Sequence, residues 1–477
     1  MIFALSFFLN AATNFAFGLT LSAILGPAAF GLYSTVQLAS ITLAGGMLDW
    51  LRLSSLRYSG DEANRLSVAS SLEAGYFALT LAVYAAVGLC VAFGAAFGLG
   101  AALLLLTPLL GVAAHRVDYM GARFRARDEG RPFVGIYGLR QALCFTGVVA
   151  VALATHDAMW TVGALALANL IPAIAFAGRA RVEGTALSKA SPEKLRTFFV
   201  YAKPIVVSLV FFQFIQLINR HVALTHFGAE ATGKFSLATD LGLRLFGAAN
   251  SLPELLLFQY VLKLDRTLGR AAAERQQSTN ISLALGLLAP LAAGYAVMAP
   301  TFEQLIAPQA YRGAFAALSA DLAPGYFAQF AIISAIGPIF QLKGATWQLT
   351  AAAMLALAAD LALVGLTPLG ASLDGLALAV SLSLGVGALA AAALAWRLSP
   401  VRPNARDLLV IAAATAAMAA LVRPLNATPS HALAAASAIA IAGVVIAGAY
   451  LAFDVGGVRT LLRARVPQPA MMKTGKA

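Results

Sequence analysis

Charge is scarce in this chain. Only 11% of its 477 residues are Asp, Glu, Lys or Arg, whereas 60% are hydrophobic and the mean hydropathy is +0.81. Soluble domains keep about a quarter of their residues charged, so this composition excludes a soluble enzyme or binding module and leaves a polytopic membrane protein. Cysteine is nearly absent too. Cys90 and Cys144 each fall inside an apolar stretch, which excludes a disulfide framework and gives no redox motif. The five histidines lack metal-site spacing; His221 and His226 are five apart and do not stack as the i, i+4 pair of a zinc helix would. No Gly-Lys-Ser/Thr phosphate loop occurs, which excludes an intrinsic ATP motor, and no cofactor is implied. No basic leader precedes the first apolar stretch, so that stretch is expected to be a retained helix rather than a signal peptide.

Long apolar runs dominate what remains. About fourteen are long enough to cross a hydrocarbon core roughly 30 Å thick as helices. They are expected near 2–25, 33–53, 68–93, 98–119, 132–154, 158–178, 201–226, 235–258, 279–299, 314–338, 348–366, 374–396, 408–423 and 432–453. Basic residues concentrate in the loops after even-numbered spans, for example Arg123, Arg125, Arg127 and Arg131, whereas the loops after odd-numbered spans are short and nearly free of them. By the positive-inside rule both termini are then cytoplasmic. The net charge of +12 follows from this topology and favours anionic lipid headgroups; it does not indicate nucleic acid, which calls for a basic face on a folded soluble domain.

The chain also repeats itself. Gly26 to Ser34, Gly-Pro-Ala-Ala-Phe-Gly-Leu-Tyr-Ser, returns as Gly228 to Ser236, Gly-Ala-Glu-Ala-Thr-Gly-Lys-Phe-Ser, an offset of 228 − 26 = 202 that still holds at Tyr58 and Tyr260. Each copy is expected to form a short outward turn between the first two spans of a half. Six spans precede the basic connector 179–200 and six follow it, so the halves are parallel repeats with a cavity between them. The expected organisation is a first lobe at 1–178, the linker 179–200, a second lobe at 201–397, two added spans within 398–453 and a basic tail at 454–477.

Several segments together resemble a known family. They are Leu25 to Ser34, the basic run Arg123 to Pro132 leading into Tyr137-Gly-Leu-Arg-Gln141, Asn219-Arg220 ahead of Phe227-Gly228, Ala307 to Tyr311, and Thr367 to Ala377. In these the chain resembles the bacterial polysaccharide transporters, the O-antigen and exopolysaccharide flippases of the multidrug/oligosaccharidyl-lipid/polysaccharide exporter superfamily. The resemblance implies two six-helix lobes around a hydrophilic cavity, often with two extra C-terminal helices, in the bacterial inner membrane. It implies movement of undecaprenyl-pyrophosphate-linked oligosaccharides to the outer leaflet. Asn219 departs from the Asp-Arg pattern of many relatives, which leaves Arg220 without that carboxylate. The alternatives are a multidrug exporter of the same superfamily, which would want carboxylates in its cavity, and a membrane polysaccharide polymerase or ligase, which would want a large outward catalytic loop.

Ionisable residues inside spans are costly and should face the bundle interior. Arg140, Arg220 and Arg244 are the candidates for binding a pyrophosphate, whose oxygens suit the paired donors of guanidinium groups. For Arg244 a local pair with Asp240, four residues earlier, competes with that role. The 202-residue offset sets Arg52 opposite Glu254, suggesting a gate between the halves, with a local pair of Arg52 to Asp49 as the rival. Asp321, Asp360 and Glu73 are candidates for coupling to a proton or sodium counter-ion, against a simpler role in helix packing. Asn10, Thr13, Asn14, Gln213, Gln216 and Asn219 lie on helix faces where they could bind sugar hydroxyls or neighbouring helices.

Overall fold

The computed structural model describes residues 2–59, 64–92, 101–252, 257 and 259–459, and every regular element among them is helical. Before the basic connector 179–200 come α1 (Ile2–Tyr58), α2 (Arg65–Ala92), α3 (Ala101–Ala126), α4 (Gly130–Leu143), α5 (Val149–Thr155), α6 (Ala158–Ala175) and the single turn α7 (Ala177–Ala180). After it come α8 (Pro192–Val222), α9 (Gly228–Leu252), α10 (Gln259–Thr267), α11 (Arg270–Val297), α12 (Ala299–Ile306), α13 (Phe315–Ala331), α14 (Gly337–Lys343), α15 (Trp347–Leu366) and α16 (Leu373–Leu398). The added pair is α17 (Ala405–Val422) and α18 (His431–Phe453). Starts are set by side-chain caps: Asp157 accepts from Met159 and Trp160 at α6, and Ser191 accepts from Lys194 at α8, where Pro192 fills a position whose N–H would have no helical acceptor.

Twelve continuous helical stretches among the described residues are long and apolar enough to span a membrane, and two of them run to 50 and 60 residues. A straight helix of 50 residues would be ~75 Å long, more than twice the hydrocarbon thickness. Each therefore contains two crossings, and counting both twice gives fourteen spans. The break in α1 is at Gly26 (φ 68°, ψ 171°); the break between α8 and α9 follows a π turn at Ala223–Phe227 and is at Gly228 (φ 85°, ψ 175°). These are the first residues of the two repeated segments, in a backbone region open to glycine and costly for any residue with a Cβ. The expected outward turns are thus corrected: the chain reverses at a single glycine, and Pro27 to Ser34 is already helix.

Contacts fix the packing of the halves. Along the second arm of α1, the Ser34 carbonyl meets Arg220, Gly45 meets Gln213, Gly46 meets Val210 and the Ser54 hydroxyl bonds the Phe198 carbonyl at 3.2 Å, so this arm and α8 run antiparallel. α9 meets both arms, with Gly233 against Pro27 at the start of the second arm and Arg244 against Gly18 of the first. α1 is therefore the seam between the halves, with α3 packed on it from one side and α8 and α9 from the other. The basic linker is tied to α2, where Ser71 Oγ accepts from the Ser191 amide at 2.8 Å. α17 and α18 lie outside the repeat against α11, anchored by the Tyr450 hydroxyl on the Gly286 carbonyl at 2.7 Å.

Candidate functional site

At the end of the bundle that holds Gly26 and Gly228, the two halves are in direct backbone contact. A Cβ on Gly31 would lie 2.7 Å from the Gly233 nitrogen and closer still to the Ala229 carbonyl, and one on Gly233 would overlap the Pro27 carbonyl. Glycine at this helix crossing lets the backbones touch, as small residues do in membrane bundles. Around it, the Tyr311 hydroxyl donates to the Ser22 carbonyl at 3.1 Å and its ring packs edge-on to Phe30. Burial raises the Tyr311 phenol well above its ordinary range, so it remains a donor. This end is closed.

Toward the opposite end, where the basic loops emerge, lies a cavity of about 520 Å³. Its charged lining comes from Asp49 and Arg52 on α1, Asp118 and Arg125 on α3 and Arg140 on α4, with Tyr137 and His115 between them. Deeper in, Asn10, Gln37, Asn169 and Gln213 contribute amides from three helices, α1, α6 and α8. Gln213 has room because Gly45 carries no side chain, and its Oε1 is buried without a hydrogen-bond partner among the described residues, as is Oδ1 of Asn169.

The three candidate arginines occupy different places. Arg140 lines the cavity and is 22% exposed; its partner is Asp118 of α3, at 3.6 Å, which also accepts from the Tyr137 hydroxyl at 3.2 Å. Arg220 is fully buried and pairs with Asp240 of α9, while a second guanidinium nitrogen donates to the Ser34 carbonyl at 3.0 Å. The local Asp240–Arg244 pair weighed from sequence is thus replaced by a pair between helices. Arg244 instead donates to the Asn14 carbonyl across the seam, its guanidinium resting on Gly18. Neither Arg220 nor Arg244 is among the cavity-lining residues. Arg52 does line it, held by Asp49 through Nε at 2.5 Å and Nη2 at 2.9 Å, as the rival reading had it. Its expected partner Glu254 lies outside the described residues.

The candidate carboxylates also separate. Glu73 bridges Arg116 at 2.9 Å and Arg123 at 2.5 Å within one repeat. Asp321 is half-buried on α13, and its backbone carbonyl takes the Ser381 hydroxyl at 2.5 Å. Asp360 is fully buried on α15 and accepts from the Asn219 amide at 2.8 and 3.0 Å, with Ser383 at 3.4 Å. That contact accounts for the amide at 219: a carboxylate there would set two like charges together in the bundle interior.

An apolar groove of about 960 Å³ lies between α9, α11, α17 and α18, with Phe15 of the first arm of α1 in its lining. Phe15, Leu287, Met418 and Ile439 are representative of its walls. The hydroxyls of Tyr295 and Tyr450 in its lining are turned to Ser319 and the Gly286 carbonyl. The apolar length of α17 and α18 marks them only as spans; that they complete a groove depends on where they pack.

The fold has known counterparts. The chain is similar to a lipid II flippase, MurJ, in an inward closed conformation, with a TM-score of 0.70 and 14% identity over 97% of this chain and 99% of that one. It is also similar to a multidrug resistance MATE family transporter of the MOP superfamily. The inward-facing conformation gives a TM-score of 0.59 (16% identity, 82% of this chain, 95% of that one) and the outward-facing one 0.55 (16%, 83% and 95%). At these identities the likeness is one of fold. No protein-family model and no curated protein matches the chain.

Proposed function

We propose that this protein is a flippase that carries a polyprenyl-pyrophosphate-linked oligosaccharide across the bacterial inner membrane by alternating access, for lipopolysaccharide or exopolysaccharide synthesis. One observation carries the reading: a cavity lined by Arg52, Arg125 and Arg140 reaches Asn10 on the first arm of α1, and an apolar groove reaches Phe15 on the same arm. A substrate with an anionic headgroup, a sugar and a long hydrocarbon tail requires those two environments side by side. Guanidinium groups would hold the pyrophosphate, the buried amides would meet sugar hydroxyls, and the tail would stay in apolar surroundings. The likeness to the MurJ flippase supports this assignment.

Within this reading the lobes are 1–178 and 201–397, joined by 179–200, with both termini cytoplasmic on the charge rule. The cavity then faces the cytoplasm while the glycine crossing closes the outer side. Of the three carboxylates, Asp360 is the one to carry a proton or sodium counter-ion, because its donors Asn219 and Ser383 are neutral whereas Glu73 already has two arginines.

A multidrug exporter is the competing reading, favoured by the MATE likeness and by the cavity carboxylates Asp49 and Asp118. Against it, both carboxylates are engaged by arginines. Mass spectrometry of lipid extracts from a deletion strain tests the choice. Accumulated polyprenyl-pyrophosphate oligosaccharide is the expected result; unchanged lipid intermediates with raised drug sensitivity would favour the exporter. Arg140→Ala should weaken headgroup binding by about ten- to hundredfold, the loss of one charge-assisted contact worth about 1.5–3 kcal/mol, with the melting temperature little changed.

A further inference from the structure

His115 is a buried polar side chain to which the scheme so far gives no task. It lines the cavity from α3, is 6% exposed, and neither ring nitrogen has a hydrogen-bond partner among the described residues. Its ring is stacked on Tyr76 of α2, centroids 5.7 Å apart at 29°, which fixes the plane and leaves the edge available. Nε2 stands 3.7 Å from Oδ1 of Asp49, too far for a hydrogen bond but close enough for an ion pair once the imidazole is charged. Imidazole is the side chain that changes charge near neutral pH.

The surroundings decide what such a change would do. α1 presents Asp49 and Arg52; α2 presents Tyr76 and Glu73, the latter held by Arg116 and Arg123. His115's own helix adds Asp118 and Tyr119, and α4 adds Tyr137 and Arg140. Among the lining residues, three arginines against two aspartates give the cavity a net charge of +1 with neutral His115 and +2 with the proton on. A bound anion and that proton attract each other, so each raises the affinity of the other by the same factor. The proton also has a local effect. Imidazolium would compete for Oδ1 of Asp49, which now takes Nε of Arg52, and would turn that donor toward the cavity.

We propose that His115 is a proton-binding site that loads together with the anionic headgroup, so that the cavity takes up an anion and a proton as one unit. This rests on the pyrophosphate reading above. The sign makes the proton a co-bound ion; a counter-ion would have to leave as the substrate arrives.

The test is calorimetry on the purified full chain with geranyl-pyrophosphoryl-N-acetylglucosamine, a pyrophosphate diester with no group titrating near neutrality. Titrations in buffers of different ionisation enthalpy count the protons taken up. The wild type should take up about half a proton per ligand, and its affinity should fall about tenfold between about pH 6 and about pH 8, the two readings being tied by linkage. His115→Gln should show no uptake and a flat, weak profile. His115→Lys, permanently charged, should show no uptake and a flat, tight one, a rescue that a packing role would not produce; it also keeps the test open if the glutamine variant fails to fold. Binding by the wild type without uptake, uptake retained in His115→Gln, or weak binding by a folded His115→Lys would overturn the assignment while leaving the cavity reading intact. Absence of binding by the wild type at every pH, or binding undiminished in Arg140→Ala, would overturn the cavity reading and this inference with it.

Discussion

Gly233→Ala is expected to part the two halves at the glycine end. The added methyl would overlap the Pro27 carbonyl, and across the crossing Gly31 already meets the Gly233 nitrogen and the Ala229 carbonyl. These obstacles are backbone atoms in helices, which cannot rotate aside as a side chain end can, so the helices must separate. Overpacking in a close-packed interior typically costs about 1–3 kcal/mol, which shifts a two-state equilibrium roughly five- to 150-fold toward the form opened at that end. The measurement is the labelling rate of a cysteine introduced at Ser34, a position 1% exposed beside the crossing, by a membrane-impermeant thiol reagent in a background lacking the native cysteines. Labelling should rise by at least about fivefold in Gly233→Ala. Gly385→Ala, where an added Cβ meets nothing within 4 Å, is the control and should leave the rate unchanged. Equal labelling in both would mean that the crossing does not hold the halves together.

Arg220→Ala is expected to destabilise the protein rather than to alter headgroup recognition. The guanidinium joins three segments: its own α8, Asp240 on α9 and the Ser34 carbonyl on α1. Removing it leaves a largely buried carboxylate and a carbonyl without their donors, and breaking a buried pair from one side costs about 3–5 kcal/mol. Thermal unfolding in detergent should show a markedly lower midpoint. Arg220→Ala combined with Asp240→Asn should recover part of the loss, because the uncompensated charge is then gone. An unchanged midpoint together with lost binding of a prenyl-pyrophosphoryl sugar would instead return Arg220 to the substrate.

The contrast between Arg140 and Arg220 marks where sequence reasoning stops. Both are arginines inside spans with no acidic residue within a helical turn, and from sequence they looked alike. Each is met by a carboxylate from another helix, Asp118 for Arg140 and Asp240 for Arg220, but one guanidinium reaches the cavity and the other is sealed in the seam. Asp49 was legible as the partner of Arg52 because three residues on a helix set the two on one face. His115 gave no signal at all. A lone histidine in an apolar span has no spacing to read, and its meaning comes from Asp49 and Tyr76, which lie 66 and 39 positions earlier in the chain.

The sequence by itself determined the class and the fourteen spans, because apolar length is a property of the chain taken in order. It even marked the two reversal points, since only glycine enters that backbone region freely, although it could not tell a hinge from a loop. Tertiary structure alone decided which repeated glycines touch, which arginines face the cavity and where the added helices leave an apolar groove. Those outcomes depend on how helices distant in sequence cross. In a membrane bundle, where nearly every helix is apolar on all sides, small residues and buried polar pairs set the crossings rather than any periodic pattern.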